Sequence, residues 1–318
     1  MVSSSPHRGA LAEEYSATRC RIHEKAHKYF FFQRLPQKEK NKFFGATDAL
    51  WNTNIDESAY SDGIKNAPGS YLLLCYGFLQ ALYVQQDAVT TLSKALGIDW
   101  KAESDSKLIH IRDIRDRLCG HPALRDRSHK VSSAIIIRHE ISETGFAGAI
   151  YYDDGFKKVT VDVPEFLRIN QEQLLVQMTK IEAAMDEKER DFRKKQSEKR
   201  FAGCFEGSFT YLRQRLICDL QDDARRIQAE IHSRKIIEVL HGLQDGLRSE
   251  GFADRADSST FRTAVYGINL LRDIISSSDT SCDAQDRFDL LYVGVDKYLD
   301  EIIRDTCELD EALSAPIQ

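Results

Sequence analysis

Between Pro68 and Leu96 apolar side chains fall on almost every face of a helical wheel: Leu72, Leu73, Leu74, Tyr76, Phe78, Leu79, Leu82, Val84, Val89 and Leu92. A helix that is apolar all round is a buried one, so this segment is predicted as the central helix of a first domain. Gly97 supplies its stop. Two helices are predicted before it, Ala10 to Gln33 and Lys38 to Trp51, with a polar connector running through Asp62-Gly63. After it, Leu108, Ile111, Ile114 and Leu118 mark the inward stripe of a helix over Asp105–Cys119. Gly120 is read there as a left-handed cap, and Pro122 prevents continuation.

The period then changes from helical to alternating. Ala134–Ile137, Ala149–Tyr152 and Val159–Val163 read as three strands, and Asp154-Gly155 is a hairpin turn signal between the last two. Pro164 and Glu165 suit the start of a long helix, predicted to reach about Arg200. Leu174, Met178, Ile181, Met185 and Phe192 form one narrow apolar seam along it, open to a coiled pair or to packing against the chain's own C-terminal helices. Its last turns are rich in Lys and Arg diluted by acids, which reads as a solvated face or a phosphate-tracking surface. No proline lies between Pro164 and Pro316, and a run that long favours helices throughout. They are predicted over Phe205–Arg248, broken near Gly242 and Gly246, then Ser259–Ser277 and Ala284–Leu313. The expected fold is mostly α with a small antiparallel β-meander. It divides into a helical domain with its meander over residues 1–163, a connecting helix 164–200, and an acidic helical bundle 201–318.

Composition narrows the classes. At 42% hydrophobic and 30% charged residues the chain can bury a core, so wholesale disorder is excluded. No stretch approaches a membrane span, and Met1–Ala10 lacks the apolar run of a secretion signal. Seven cysteines, none in a CxxC pair, favour reduced thiols and a cytoplasmic protein. The net charge of −6 is unevenly spread. From Ser249 onward 15 acids face 6 bases, giving −9, so residues 1–248 carry +3. That split points to an anionic partner for the first part, or simply to an acidic bundle kept soluble by its charge. Phosphate-loop, nucleophile-elbow and dinucleotide signatures are absent.

Two local patterns carry chemistry. His23-Glu24-Lys25-Ala26-His27 is a literal HExxH within a predicted helix: two imidazoles at i and i+4 share a face, with Glu24 as a base for a metal-bound water. Lys25 and Lys28 charge a helix that zinc peptidases keep uncharged, and no third ligand announces itself among Glu39, Asp48 and Glu57. A weaker di-iron pattern pairs Glu24/His27 with Glu238/His241 across predicted domains. No cofactor and no stoichiometric zinc or iron is therefore expected. A zinc peptidase on His23-Glu24-x-x-His27 is kept as the second alternative.

The other pattern is Arg112-Asp113-Ile114-Arg115-Asp116-Arg117-Leu118-Cys119-Gly120-His121-Pro122. Arg115 is followed by Asp116 and, six positions on, by His121, at the end of a short helix that follows a buried one. This resembles the signature of the HEPN superfamily over about residues 46–121; Gln85-Gln86-Asp87 recurs with it in HEPN-like proteins. The spacing alone recurs elsewhere in the chain, at Arg21/His27 for example, so the neighbouring Asp116, the helix-end setting and the Gly120-His121-Pro122 exit are what single it out. Ala123 stands where nucleotidylation-regulated members carry tyrosine, so that control is not inferred. The resemblance implies a metal-independent endoribonuclease acting as a homodimer, in stress response or antiviral defence. His121 would move the proton of a ribose 2′-hydroxyl, Arg115 would hold the phosphate, and Asp116 would orient one of them. Ordinary i,i+4 ion pairs, Arg112–Asp116 and Asp113–Arg117, are the bland reading of the same charges. The first alternative is a non-catalytic HEPN-like module that dimerises and binds a protein partner, its C-terminal helical region being one candidate surface. No membrane partner is expected.

Overall fold

The structure, a computed structural model, describes residues 6–66, 69–120, 123–125, 131–152, 155–196, 199–220, 226–277 and 282–316. Pro68, His121, Pro122 and Asp154 lie outside the described residues. The chain is mostly α with a small antiparallel meander and one long helix, and it divides into two compact units, residues 1–188 and 189–318.

In the first unit α1 spans Pro6–Lys28, α2 Gln37–Asn52, α3 Glu57–Asn66, α4 Tyr71–Ala95 and α5 Ser106–Arg115. The first helix ends five residues before Gln33. Three phenylalanines in succession cannot share one helical face, and a 3₁₀ turn over Phe30–Arg34 puts Phe31 and Phe32 inside. The expected polar connector contains a helix instead. Asp56 Oδ1 accepts the Ala59 N–H at 2.7 Å and caps α3, whose only buried side chains are Tyr60 and Ile64. Asp56 is held below the ordinary carboxylate range, first by that hydrogen bond and then by the Ser58 hydroxyl. Gly97, at φ +79°, stops α4 as the pattern requires.

The meander is β1 (Ala123–Arg125), β2 (Val131–Ile136), β3 (Gly145–Tyr152) and β4 (Gly155–Asp162), antiparallel in that order. The sequence pattern missed β1, three residues too short to show an alternation. Register sets Ala134 opposite Ile150 and Phe146 opposite Val161. These residues join Phe78, Leu79, Leu82, Ile111, Ile114 and Leu118 in one core. Asp162 accepts the Glu165 N–H at 2.9 Å and so caps α6, Val163–Gln196.

Leu174, Met178, Ile181 and Met185 of α6 are fully buried within the chain, so the seam is not free to form a coiled pair. Polar bonds on either side of it show why. Asn170 donates to Gln85 Oε1 at 2.7 Å and accepts from Gln86 at 3.0 Å, and Gln177 donates to Ser93 at 3.0 Å, all on α4. Glu182 and Asp186 accept from Arg21 and Lys25 of α1. A buried amide left unpaired costs about 1–3 kcal/mol. These pairings add to the apolar stripe in fixing the rotation of α6.

The second unit takes the tail of α6 and α7 (Ser208–Leu220), α8 (Arg226–Ser249), α9 (Ala253–Ala256), α10 (Ser259–Ser276) and α11 (Cys282–Ser314). The long helix stops at Gln196 rather than Arg200, and a 3₁₀ turn over Phe201–Phe205 follows, its N–H groups at Phe201 and Ala202 capped by Asp310. Gly242 and Gly246 do not break a helix; both lie inside α8. Gly267 lets α10 and α11 close up, since a methyl there would sit 2.4 Å from Val295 Cγ2. Among the described residues no helix is long and apolar enough to cross a membrane.

Candidate functional site

The end of α5 gathers most of the charges that the sequence singled out. Asp105 starts the helix by accepting the Lys107 and Leu108 N–H groups at 2.8 and 3.1 Å. Beyond Arg115 the backbone widens into a single π turn over Asp116–Gly120, so Gly120 ends that turn instead of forming a left-handed cap. Such turns re-aim side chains and recur at functional sites. This one rests on the sheet: Leu118 lies over Gly148, where an added Cβ would meet its Cδ2 at 2.5 Å.

The expected i,i+4 pair between Arg112 and Asp116 is not the one formed. Arg112 is buried, donating to Asp87 at 2.8 Å and pairing with Glu103 at 2.8 Å, with its guanidinium 4.1 Å from the Tyr83 ring centre. Burial works against its charge. The hydrogen bond to Asp87 and the charges of Asp87 and Glu103 more than offset that, leaving its pKa above the ordinary value. Arg115 lies over the same ring at 4.3 Å. Its Nε and Nη2 donate to Gln80 Oε1 at 3.0 and 2.6 Å, and its Nη1 to Asp116 Oδ1 at 2.7 Å. The Arg115 side chain keeps 21% of its surface exposed and Asp116 keeps 50%. Arg117 donates to the Tyr152 hydroxyl at 3.1 Å. Burial pushes the Cys119 thiol up to about 11, only partly opposed by Arg115, so it is no thiolate nucleophile at neutral pH.

Asp116 thus sits on Arg115. His121 lies outside the described residues, and its distance from either is not part of this geometry. Of the Gln85-Gln86-Asp87 triplet, Gln85 and Gln86 are buried amides and Asp87 serves Arg112. Gln80 and Tyr83 were missed by the sequence reading. Their signal was the spacing 80, 83, 87, a polar row along an otherwise apolar helix.

A second cluster stands at the α1–α2 corner. His23, His27 and Asp48 bring one ligand atom each within 4.8 Å of one another. His23 Nε2 is 3.7 Å from Asp48 Oδ1. The His23 ring stacks on Trp51 at 4.8 Å, and His27 lies 5.5 Å from Phe44. Asp48 is the third group that the sequence did not announce. Its residue lies 21 positions beyond His27, and only the packing of α2 on α1 brings it there. Glu24 instead pairs with Lys28 at 3.4 Å on the adjoining stripe. Arg19, one turn before His23, is 4% exposed, with Nε and Nη1 lacking a hydrogen-bond partner among the described residues, and sits 5.8 Å from the Trp51 ring centre.

Comparison with known proteins gives no match to this chain, whether with protein families, curated sequences or solved structures.

Proposed function

We propose that the end of α5 is the phosphate-holding half of a metal-independent endoribonuclease of the HEPN type. The supporting observation is the state of Arg115. Its guanidinium is oriented by a neutral amide, one carboxylate and an aromatic face, yet remains partly exposed. An arginine carries five N–H donors, and the three bonds to Gln80 and Asp116 leave one on Nη1 and one on Nη2 for a phosphate. Arg112, held by two carboxylates and buried, is the structural member of the pair.

In this reading His121 removes the proton of a ribose 2′-hydroxyl, whose oxygen attacks the adjacent phosphorus. The bond from phosphorus to the 5′-oxygen breaks, leaving a 2′,3′-cyclic phosphate and a 5′-hydroxyl protonated by an acid. Arg115 stabilises the charge that builds on the non-bridging oxygens. One chain offers one such imidazole in this motif, whereas base and acid are both needed. A two-fold-related second chain would supply the other, so the active species is a homodimer.

The deciding experiment incubates purified protein with total RNA in the presence of a chelator. Light scattering on the same sample reads its mass. The expected result is chelator-resistant cleavage by a dimer, lost on His121→Ala or Arg115→Ala. A well-folded dimer that cuts no RNA points instead to a non-catalytic module for protein binding, and full activity in either variant overturns the residue assignment.

A further inference from the structure

We propose that His23, His27 and Asp48 form a binding site for one divalent transition-metal ion of the zinc type, clipping α1 to α2. The helix supplies the first two donors: residues four apart stand one above the other on a helical face, and the two imidazoles are 4.7 Å apart between ring centres. Asp48 enters from α2 and closes the triangle. Ligands about 2.0–2.1 Å from a tetrahedral ion are about 3.3 Å from each other. His23 and Asp48 stand at 3.7 Å and all three atoms lie within 4.8 Å, so small rotations of the exposed His27 and Asp48 side chains complete the set. At 3.7 Å the His23–Asp48 contact is longer than a hydrogen bond, and the donor atoms are not tied up by each other. Trp51, stacked on His23, keeps that ring from swinging outward.

The donor set chooses the ion. Two imidazole nitrogens and one carboxylate suit zinc and its neighbours, whereas Mg²⁺ and Ca²⁺ take oxygen ligands. Three protein ligands leave at least one position to water. Glu24, the base that a peptidase would need, is turned to Lys28, and the site is proposed for binding, not for proteolysis.

The test uses the full chain stripped with chelator and dialysed against Zn²⁺ or Co²⁺. About one ion per chain is expected, with a rise in melting temperature on Zn²⁺ addition and visible absorption bands from bound Co²⁺. His27 and Asp48 are exposed, so His27→Ala and Asp48→Asn leave the core intact; each is expected to weaken binding at least about tenfold and abolish the thermal shift. Mg²⁺ and Ca²⁺ should produce neither effect. Absence of bound ion, or unchanged binding in both variants, overturns the site. Arg115→Ala should bind metal as wild type does, which separates this outcome from that of the RNA experiment.

Discussion

At the end of α5 the two guanidiniums, Arg112 buried and Arg115 partly exposed, are already bonded: Tyr83 lies under both, and Gln80, Asp87, Glu103 and Asp116 hold their edges. At the α1–α2 corner His27 and Asp48 are exposed, His23 is held by stacking on Trp51, and the packing of α2 on α1 brings Asp48 beside them. The first is organised without a ligand, because removing arginine charge from water is tolerable only with partners in place. The second has donors that converge without satisfying one another, which is the condition under which an added ion gains most. One region spends its polar groups on each other, and the other keeps them available.

The comparison predicts where substitutions act, and the largest effect belongs to catalysis. His121→Ala and Arg115→Ala should each lower RNA cleavage at least about a hundredfold, equivalent to about 2.7 kcal/mol of transition-state stabilisation. Arg115→Lys should not restore it, since a single ammonium cannot replace the guanidinium fork. Initial rates in chelator decide this, and an active lysine variant would show that charge suffices without bidentate geometry.

Next comes the support of the π turn. Gly148→Ala must displace Leu118, and overpacking of this kind costs about 1–3 kcal/mol. Urea unfolding should show the loss, RNA cleavage should fall with it, and zinc binding should not change. A Gly148→Ala protein as stable and active as wild type would mean that the turn does not depend on the sheet.

Tyr83 should be worth somewhat less. Tyr83→Ala removes the face shared by Arg112 and Arg115, where a cation–π contact contributes about 0.5–2 kcal/mol, whereas Tyr83→Phe keeps the ring and should be nearly silent in unfolding experiments. Equal effects of the two changes would assign the role to the hydroxyl. The smallest effect is expected at the open corner. Trp51 is 42% exposed, and Trp51→Ala should cost about 0.5–1.5 kcal/mol of stacking while weakening zinc binding only modestly. A complete loss of binding would make Trp51 indispensable to the geometry of His23.

Legibility differed from element to element for physical reasons. Segment α4 was readable because its side chains are apolar on nearly every face, and α5 because Leu108, Ile111, Ile114 and Leu118 keep step with the helical turn. Helix α3 was not, since Tyr60 and Ile64 are its only buried side chains and its start depends on the Asp56 cap. The break expected at Gly242 and Gly246 does not occur, because an isolated glycine weakens a helix by only about 1 kcal/mol and packing absorbs it. Asp116 was expected to orient either His121 or Arg115, and it meets Arg115; the bland i,i+4 pairing of Arg112 with Asp116 is replaced by Asp87 and Glu103. An i,i+4 partner was available along the chain, but Asp87 and Glu103 come from other elements to a side chain that burial leaves no room to turn outward.

The sequence by itself determined that this chain is mostly helical, where its buried central helix runs, and that His23 and His27 share a helical face. All of these follow from a period of 3.6 residues or from local turn chemistry, which operate over a few neighbouring positions. The tertiary structure alone decided that Asp48 completes the triangle with those histidines, that Tyr83 and Gln80 cradle Arg115, and that the α6 seam is spent inside the protomer. Contacts between helices depend on their rotation and offset, and here buried amides such as Gln86 and Asn170 set both. No local period encodes a distance between groups 21 or 35 residues apart.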